Sequence, residues 1–258
     1  MKNVLIVGYG VVGHNLAKEL SELMPDIYDI KFGFYDGTGL TLDVMGEPLT
    51  KKIHYDFAFI CVDTPYTEED PCDLTQVINA IKENNADIYI IKSTMLPGST
   101  NFLRATTDKH IVFSPEYYGN TQHCNNFEFN FTILGGEKYD CLKVQQLLQQ
   151  VYDARHTFHI VDSRTAELVK YMENSWIATK VSFCNQFYQI AENQGVDYET
   201  LRELFILDPR VNPSHTFVYR DKPYWNSHCL NKDVLAIAEN ENAELLKDVI
   251  KFNNKSKS

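Results

Sequence analysis

Apolar residues in the first half of the chain form short continuous runs that alternate with segments of helical periodicity. The runs that predict buried strands are "NVLIVGYG", "IKFGFYD", "FAFICVDTP", "DIYIIKST", "HIVFSPE" and "FTILGG". Between some of them, "VVGHNLAKELSELM", "LTQVINAIKEN" and "YDCLKVQQLLQQVYDA" repeat apolar residues at the spacing of a helix. This alternation predicts an α/β protein with a doubly wound parallel sheet covered by helices on both faces.

The pattern changes at about Ser163. From there, "RTAELVKYMENSWIATKVSFCNQFYQIAENQG" keeps a helical spacing without a proline and closes on Gly195, which predicts one long helix. Shorter helical patterns follow in "YETLRELFIL" and "KDVLAIAENENAELLKDVIKF". We therefore predict a sheet domain over residues 1–160 and a long helix with a small all-α region over residues 161–258.

Composition narrows the class of protein. The 258 residues are 44% hydrophobic and 23% charged, which is ordinary for a globular protein with a full core. The net charge of −11 argues against binding to nucleic-acid backbones. No apolar run reaches the roughly 18 residues of a membrane span, and the N-terminus is typical of a strand rather than a signal peptide. The six cysteines contain no C-x-x-C pair, which predicts no zinc site, no disulfide framework and a cytoplasmic location.

A glycine motif lies where the first strand meets the first helix. It consists of Gly8, Tyr9, Gly10, Val11, Val12 and Gly13. Such a turn brings the backbone and a helix N-terminus close to a pyrophosphate, and a carboxylate after the next strand binds the ribose. We assign that carboxylate to Asp36. The motif predicts a Rossmann-like domain, and the negative charge of Asp36 favours NAD over NADP.

Polar residues follow three later strands. Thr64 follows "FICVD", Ser93 and Thr94 follow "IYIIK", and Glu116 follows "IVFSP". In an open parallel sheet, ligands bind in the crevice outside the carboxyl ends of the strands. Each residue alone is also common in loops, but three in succession favour a site that includes Thr64, Thr94 and Glu116. We assign Thr64 and Thr94 to the cofactor.

Taken in order along the chain, these motifs resemble the UDP-glucose/GDP-mannose 6-dehydrogenase family. The segments that carry the resemblance are Gly8–Gly13, Val62–Pro65, Lys92–Thr94 with Pro97-Gly98, Ser114–Glu116, Ala166–Lys170 with Asn174, and Cys229 with Lys232-Asp233. The resemblance implies a four-electron oxidation in which NAD accepts two hydrides from the C6 carbon of a nucleotide sugar. A cysteine thioester is the intermediate, and its hydrolysis gives a uronate.

The resemblance also implies roles for individual residues. Cys229 would be the nucleophile, and its thiol requires a lowered pKa. Lys170 and Asn174 would donate to developing oxyanions and bind the substrate, and their spacing of four places both on one helix face. Asp233 is open to the role of hydrolytic base. Lys232 would contact the cofactor, and Glu116 the substrate sugar.

Each of these residues also has an ordinary structural interpretation. A single cysteine is more often a packing residue than a nucleophile. The sequence predicts a loop at Cys229, with Lys232 and Asp233 beginning the helix of "VLAIAEN", where they would serve as cap and first turn. Only the joint pattern favours a site, with the helix N-terminus lowering the thiol pKa.

The chain departs from the family pattern near the cysteine. The family has G-G-x-C-x-P-K-D, whereas Asn226, Ser227 and Asn231 replace the two glycines and the proline here. A second glutamate of the family is replaced by Asn120. The family's C-terminal nucleotide-binding domain would follow beyond Ser258, so we expect weak sugar-nucleotide affinity unless a separate nucleotide-binding partner supplies it.

Three functions remain open from the sequence. The first is a shortened nucleotide-sugar 6-dehydrogenase. The second is a two-electron dehydrogenase of the β-hydroxyacid type, which shares the Lys-x-x-x-Asn of the long helix and needs no cysteine. The third is a non-catalytic NAD-binding relic. For all three, we predict a homodimer through the long helix, because Met172, Trp176, Ile177, Val181 and Phe183 lie on more than one face.

Overall fold

A single sheet forms the framework of the first part of the chain. The computed structural model of the protein describes residues 3–31, 33–36, 41–42, 53–67, 69–118 and 127–257. Within these ranges the strands are β1 (Val4–Val7), β2 (Asp26–Asp29), β3 (Gly33–Tyr35), β4 (Thr41–Leu42), β5 (His54–Ile60), β6 (Asn85–Ile91), β7 (His110–Phe113), β8 (Phe131–Gly135) and β9 (Thr157–Val161).

Helices connect and follow these strands. They are α1 (Val11–Glu19), α2 (Thr75–Glu83), α3 (Ser99–Thr107), α4 (Lys138–Leu148), α5 (Ser163–Gln194), α6 (Tyr198–Phe205), α7 (His228–Asn240) and α8 (Glu244–Lys255). A short 3₁₀ turn, Ser21–Leu23, follows α1. The predicted long helix is confirmed as α5, and Gly195 follows it with a φ of 67°, the left-handed conformation that commonly ends a helix.

The strand order confirms a doubly wound fold. In the described residues the sheet has nine strands, ordered β4-β3-β2-β1-β5-β6-β7-β8-β9. The five neighbouring central strands, β2, β1, β5, β6 and β7, are parallel. β3 pairs antiparallel with β2, β4 with β3, and β8 with β7. Chain order therefore runs outward from β1 in both directions, which places the sheet's ligand crevice beside β1 and β5.

The apolar runs are continuous because both faces of the sheet are buried. In β5, Ala58 and Ile60 belong to one core cluster, whereas Phe57 and Phe59 belong to the cluster on the other face. Side chains alternate across a strand, so a strand between two helical layers must be apolar at successive positions. This explains why five of the predicted strands coincide with observed ones.

The prediction for the second strand is wrong. The chain forms two strands between Asp26 and Tyr35, not one over "IKFGFYD". The strand that pairs parallel to β1 is β2, with Val7 opposite Tyr28, and it ends at Asp29. β3 then runs back antiparallel to β2, with Tyr35 opposite Ile27. Asp36 therefore follows an antiparallel strand and is level with the beginning of β2.

The contacts of the chain define two compact units that meet within the long helix. The first unit contains residues 1–65 and 72–170, and the second contains residues 66–71 and 171–258. The first turns of α5 belong to the sheet because Ala166 is fully buried in its core. A Cβ on Gly135 would lie only 2.4 Å from the Cβ of Ala166, so this glycine permits the close packing.

The second unit is helical, and its described residues include two small cores. One contains Ala178 of α5 with Trp225, Val234 and Val249, and the other contains Cys184, Ala191 and Tyr198. The pattern predicted as one helix near the C-terminus is two helices, α7 and α8. Asn242 between them has a φ of 50°, and a left-handed residue cannot continue a right-handed helix. Over the described residues, none of the helices has the length and apolarity needed to cross a membrane.

Candidate functional site

The glycine motif forms the turn that the sequence predicts between β1 and α1. Gly8 has a φ of 92°, which favours glycine, and a Cβ there would lie 2.7 Å from the carbonyl oxygen of Cys61. A Cβ on Gly13 would lie 1.9 Å from the carbonyl oxygen of Gly8, so only glycine allows α1 to pack this closely. The first and third glycines therefore fix the turn itself.

The middle glycine leaves room for a ligand. Gly10 is the N-cap of α1, and a Cβ added to it would meet no atom of the described residues within 4 Å. The first turn of α1 has no acidic residue, and within the described part of the chain no side chain caps it. A helix N-terminus with free backbone approach and no competing carboxylate suits an anion. These residues fit the pyrophosphate of a dinucleotide.

A carboxylate that contacts this turn belongs to Asp29, a residue that the sequence analysis did not name. Asp29 ends β2 beside β1, and its Oδ2 accepts a hydrogen bond of 2.8 Å from the Tyr9 backbone N–H. Its Oδ1 accepts another from the N–H of Lys31. The assignment of Asp36 depended on the incorrect second strand. The signal that sequence reasoning missed was "DIYD", a strand too short and polar to stand out.

The two threonines predicted for the cofactor lie together. Thr64 follows β5 and Thr94 follows β6, and both side chains are buried. The hydroxyl of Thr64 donates to the carbonyl oxygen of Thr94 over 2.7 Å, and Ser93 donates to the carbonyl oxygen of Val62 over 2.6 Å. These bonds join the β5 and β6 loops at the carboxyl end of the sheet, where the sequence predicted a crevice.

Glu116 and Lys170 form a buried pair in the first unit. Lys170 Nζ lies 3.9 Å from Glu116 Oε1, and both side chains are less than 10% exposed. The other carboxylate oxygen of Glu116 accepts from the Tyr118 N–H at 2.8 Å. The ammonium of Lys170 also lies 5.1 Å from the centre of the Tyr117 ring. This places a fixed cation beside a fixed carboxylate, as a polar substrate requires.

Lys92 is a site residue to which the sequence analysis gave no role. Its Nζ donates to Ser114 Oγ at 3.2 Å and to the Pro115 carbonyl oxygen at 3.3 Å, so it holds the loop that carries Glu116. Burial lowers the pKa of Lys92, and Cys61 and Glu116 partly oppose that effect. A lysine at the end of the apolar run "IYIIK" was the available signal.

The second unit gathers three of the predicted residues into one buried cluster. Asn174 of α5 donates from Nδ2 to Asp233 Oδ2 at 2.6 Å, and Lys232 Nζ lies 2.5 Å from Asp233 Oδ1. Asp233 is 1% exposed and Asn174 is 5% exposed. Lys170 and Asn174 are four residues apart in the unbroken helix α5, although they belong to different units.

Cys229 lies in a helix, which corrects the loop prediction. α7 begins at His228, so Cys229 is in its first turn and is exposed. The N-cap is Ser227, whose side chain accepts from the Leu230 N–H at 3.1 Å. Lys232 and Asp233 therefore lie one turn into α7 rather than at its start. A thiol at a helix N-terminus is in a position that favours the thiolate.

The residues that depart from the family pattern bond to one another. Asn231 Nδ2 donates to Asn226 Oδ1 at 2.7 Å, across the first turn that contains Cys229. Ser227 supplies the helix cap. The turn thus has side-chain hydrogen bonds where the family pattern has glycines and a proline. Asn120 lies outside the described residues.

A doubly wound sheet with this glycine turn defines the first unit as a dinucleotide-binding domain of the dehydrogenase type. Two family models match the chain: the UDP-glucose/GDP-mannose dehydrogenase NAD-binding domain over residues 43–156, and the central domain of the same family over residues 164–255. The chain belongs to the UDP-glucose/GDP-mannose dehydrogenase family, and NAD is the cofactor of its N-terminal domain.

Similar proteins extend this result. A UDP-N-acetyl-D-mannosamine dehydrogenase from Methanocaldococcus jannaschii is 28% identical over 96% of this chain and 60% of its own length. A UDP-glucose 6-dehydrogenase from Rickettsia prowazekii is 28% identical over 96% of this chain and 63% of its own. The chain thus spans about 60% of the length of these relatives. A solved UDP-glucose dehydrogenase from Pyrobaculum islandicum has the same fold, with a TM-score of 0.80 at 22% identity over 99% of this chain and 68% of that one.

Proposed function

We propose that this chain is an NAD-dependent nucleotide-sugar 6-dehydrogenase that oxidises a C6 alcohol to a carboxylate through a thioester on Cys229. One observation carries the proposal. Cys229 is exposed in the first turn of α7, and one turn later Lys232 and Asp233 join Asn174 in a buried hydrogen-bonded cluster. Buried charged networks are costly to maintain, and they are concentrated at sites where charge is used.

The first oxidation converts the alcohol to an aldehyde. The C6 hydroxyl releases its proton to solvent water ahead of the hydride, so negative charge develops on the oxygen before the hydride leaves the same carbon. Lys170 is held beside Glu116, and its ammonium is a fixed donor for that oxygen. Asn174, one helical turn further along α5, is the second donor through its amide. NAD, when bound at the glycine turn, accepts a hydride in each of the two oxidations.

The second oxidation passes through a covalent bond to the protein. The thiolate of Cys229 attacks the aldehyde carbon, a sulfur–carbon bond forms, and the carbonyl oxygen becomes an oxyanion that again needs a hydrogen-bond donor. Loss of the second hydride gives a thioester. This step requires the thiolate of Cys229, and a position at the start of a helix favours a thiolate.

Hydrolysis releases the product. Water adds to the thioester carbon, Asp233 takes its proton, and the sulfur–carbon bond breaks to return the Cys229 thiolate. Asp233 is suited to this role because Asn174 and Lys232 each bond one of its oxygens and so fix the carboxylate. An ionised carboxylate has about four lone-pair positions, so it can still accept from a water. In total, two hydrides leave C6 and one water oxygen enters.

Family membership supports a nucleotide sugar as the substrate and does not identify which sugar. The relatives named above act on UDP-glucose and on UDP-N-acetyl-D-mannosamine. Both are nucleotide sugars with a primary alcohol at C6, so we propose a substrate of that class. Glu116 and Lys170 would contact its sugar ring.

The test is the yield of NADH for each product molecule. The protein is incubated with NAD and a panel of UDP-sugars, GDP-sugars and small β-hydroxyacids, and products are identified by mass spectrometry. We expect a uronate, with two NADH formed for each one, and loss of uronate in Cys229→Ser. Cys184→Ser is a like substitution elsewhere in the second unit and should retain uronate formation. One NADH per product with full rate in Cys229→Ser would instead identify a two-electron dehydrogenase.

We also propose a homodimer that forms through α5. Of the five residues named from the sequence, Met172, Trp176 and Phe183 are exposed, whereas Ile177 and Val181 are partly buried. The exposed apolar residues of α5 repeat every three, four or seven positions and so share one face. They are Leu168, Met172, Trp176, Phe183, Phe187 and Ile190. A stripe of roughly 33 Å along one helix is typical of a protein interface.

A further inference from the structure

A fully buried carboxylate lies where the long helix meets the sheet. Glu167 in α5 is 0% exposed. Its Oε2 accepts a hydrogen bond of 2.6 Å from the Gly98 N–H. Its Oε1 accepts from the Thr100 N–H at 2.7 Å and from the Thr100 hydroxyl at 2.6 Å. Both carboxylate oxygens are therefore held by donors from the start of α3.

This carboxylate acts as the missing cap of α3. The N-cap residue is Gly98, which has no side chain, and no local side chain caps the helix. The first N–H groups of a helix lack partners within it, and a carboxylate satisfies both their hydrogen bonds and the positive end of the helix dipole. Glu167 supplies that carboxylate from a residue far along the chain, within the same unit.

The same contact connects two parts of the candidate site. Gly98 ends the loop that follows β6, and this loop carries Thr94, whose carbonyl oxygen accepts from Thr64. On the other side, Lys170 lies three residues after Glu167 in α5, on the next turn of the same face. Glu167 therefore fixes the loop of a cofactor-contact residue against the helical turn that carries a substrate-contact residue.

The chemistry of the contact requires a carboxylate. Three donors converge on two oxygens, and an amide in place of the carboxylate would direct an NH₂ group at one of these donors. Burial raises the pKa of Glu167, whereas the bonds from Thr100 and Gly98 and the charge of Arg164 lower it. A buried carboxylate is held in place only when donors compensate its desolvation, so losing one donor loosens the contact.

We propose that Glu167 is a positioning residue that sets Lys170 and Thr94 in register for hydride transfer. This inference rests on the proposed function, because it assigns Lys170 and Thr94 to the reaction. A displacement of about 1 Å at a reacting group can cost roughly a hundredfold in rate. Glu167 itself does not contact a reacting atom.

The experiment compares Glu167→Gln with a matched control, the removal of another carboxylate that contacts α3. Glu137 pairs with Arg104 in the last turn of α3, at 2.9 Å, and is 63% exposed, so Glu137→Gln removes a carboxylate from the opposite end of α3. Thr100→Val removes one of the three donors, and Thr100→Ser retains it. For each variant we measure kcat, KM for the nucleotide sugar, the Kd for NADH by fluorescence, and thermal unfolding.

We expect kcat of Glu167→Gln to fall about ten- to a hundredfold with a smaller change in KM, and the Kd for NADH to rise about three- to tenfold. Thr100→Val should change both quantities in the same direction, and Thr100→Ser should restore them. Glu137→Gln should match the wild type. A Glu167→Gln protein that is folded and has an unchanged kcat and an unchanged Kd would overturn the proposal, as would an equal loss in Glu137→Gln.

The two proposals fail in different ways. If the wild-type protein binds NADH but oxidises no nucleotide sugar, the proposed function is wrong, and the effect on the NADH Kd alone decides the role of Glu167. An unchanged Kd would then overturn that role. If the wild type oxidises a nucleotide sugar and Glu167→Gln does so equally well, only the positioning role is wrong.

Discussion

Asn174 donates a hydrogen bond of 2.6 Å to Asp233, although 59 residues separate them in the chain. The bond ties α5 to the second turn of α7 within the second unit, and it fixes the orientation of the Asp233 carboxylate. The other carboxylate oxygen of Asp233 contacts the ammonium of Lys232. The arrangement gives the most direct test of how the proposed thioester is hydrolysed.

Asp233→Asn should stall the reaction after the second oxidation. The amide retains the size of the carboxylate but cannot accept a proton, so we expect kcat to fall by about 10²- to 10⁴-fold. A burst of NADH should precede the stall, and intact-protein mass spectrometry should detect a covalent adduct on Cys229. Asp248→Asn changes an exposed aspartate of α8 and should behave as the wild type. A slow variant that accumulates no adduct would mean that Asp233 does not act in hydrolysis.

Cys229 should be the first cysteine to react with iodoacetamide at neutral pH. It is exposed at the start of α7, whereas burial raises the pKa of Cys61 and of Cys141 to about 12. Peptide mass spectrometry on all six cysteines gives the order of labelling. Ser227→Ala removes the cap of α7 and should slow labelling of Cys229 about two- to fivefold. Equal rates at Cys229 and at the buried cysteines would contradict a thiolate at this position.

The Asp29 correction predicts a change of cofactor preference. Asp29→Asn retains an acceptor for the Tyr9 N–H but removes the negative charge that would repel a 2′-phosphate. We expect the wild type to bind NADH more tightly than NADPH, and the variant to lose about tenfold of that preference in fluorescence titrations. Asp36→Asn is the matched control and should leave the ratio unchanged. If Asp36→Asn alone lowers the preference, the ribose contact lies with Asp36 after all.

The central strands and α5 could be predicted from local sequence. A strand buried on both faces is a short continuous apolar run, and a helix repeats apolar residues every three or four positions, so both patterns appear in a short segment. They were insufficient for α3, whose cap comes from Glu167 and not from a neighbouring residue. β9 was also missed, since "TFHIV" is short and only partly buried. The start of α7 was placed too late because its cap, Ser227, stands where the family pattern has a glycine.

The candidate site could also be predicted only in part from the sequence. The glycine turn, Thr64 and Thr94 were predicted from their positions at the ends of strands, whereas the Lys232-Asp233 pair was predicted from the family resemblance. Which partners they contact depends on residues distant in sequence. Lys92 holds the loop that carries Glu116, and this contact exists only because the loop after β7 folds back over the Lys92 ammonium. The family pattern could not supply the bond between Asn226 and Asn231, since neither residue belongs to it.

Lys92 should make the stability of the protein depend on pH. Burial lowers its pKa in the folded chain from the ordinary value of 10.5. Between the lowered pKa and 10.5, the unfolded chain binds more protons than the folded one, so the free energy of unfolding rises with pH in that window. The free energy of unfolding rises by at most about 1.4 kcal/mol for each pH unit. This rise should be absent in Lys92→Met.

Urea unfolding at several pH values up to about 10 measures this effect as the difference between the wild type and Lys92→Met. Lys82→Met replaces an exposed lysine of α2 and serves as the control for the loss of a lysine. A difference between the wild type and Lys92→Met that does not change with pH would show that the Lys92 ammonium keeps an ordinary pKa in the folded chain.

The apolar stripe of α5 should hold two copies of the chain together. Trp176 lies near the middle of the stripe and is 62% exposed, so Trp176→Glu would bury a charge if that face packs against a second copy. We expect light scattering at micromolar concentration to give a dimer for the wild type and a monomer for the variant. Leu245→Glu introduces the same charge at a position of α8 that is 68% exposed, and it should remain dimeric. A wild-type protein that scatters as a monomer would show that the stripe is covered by something other than a second copy.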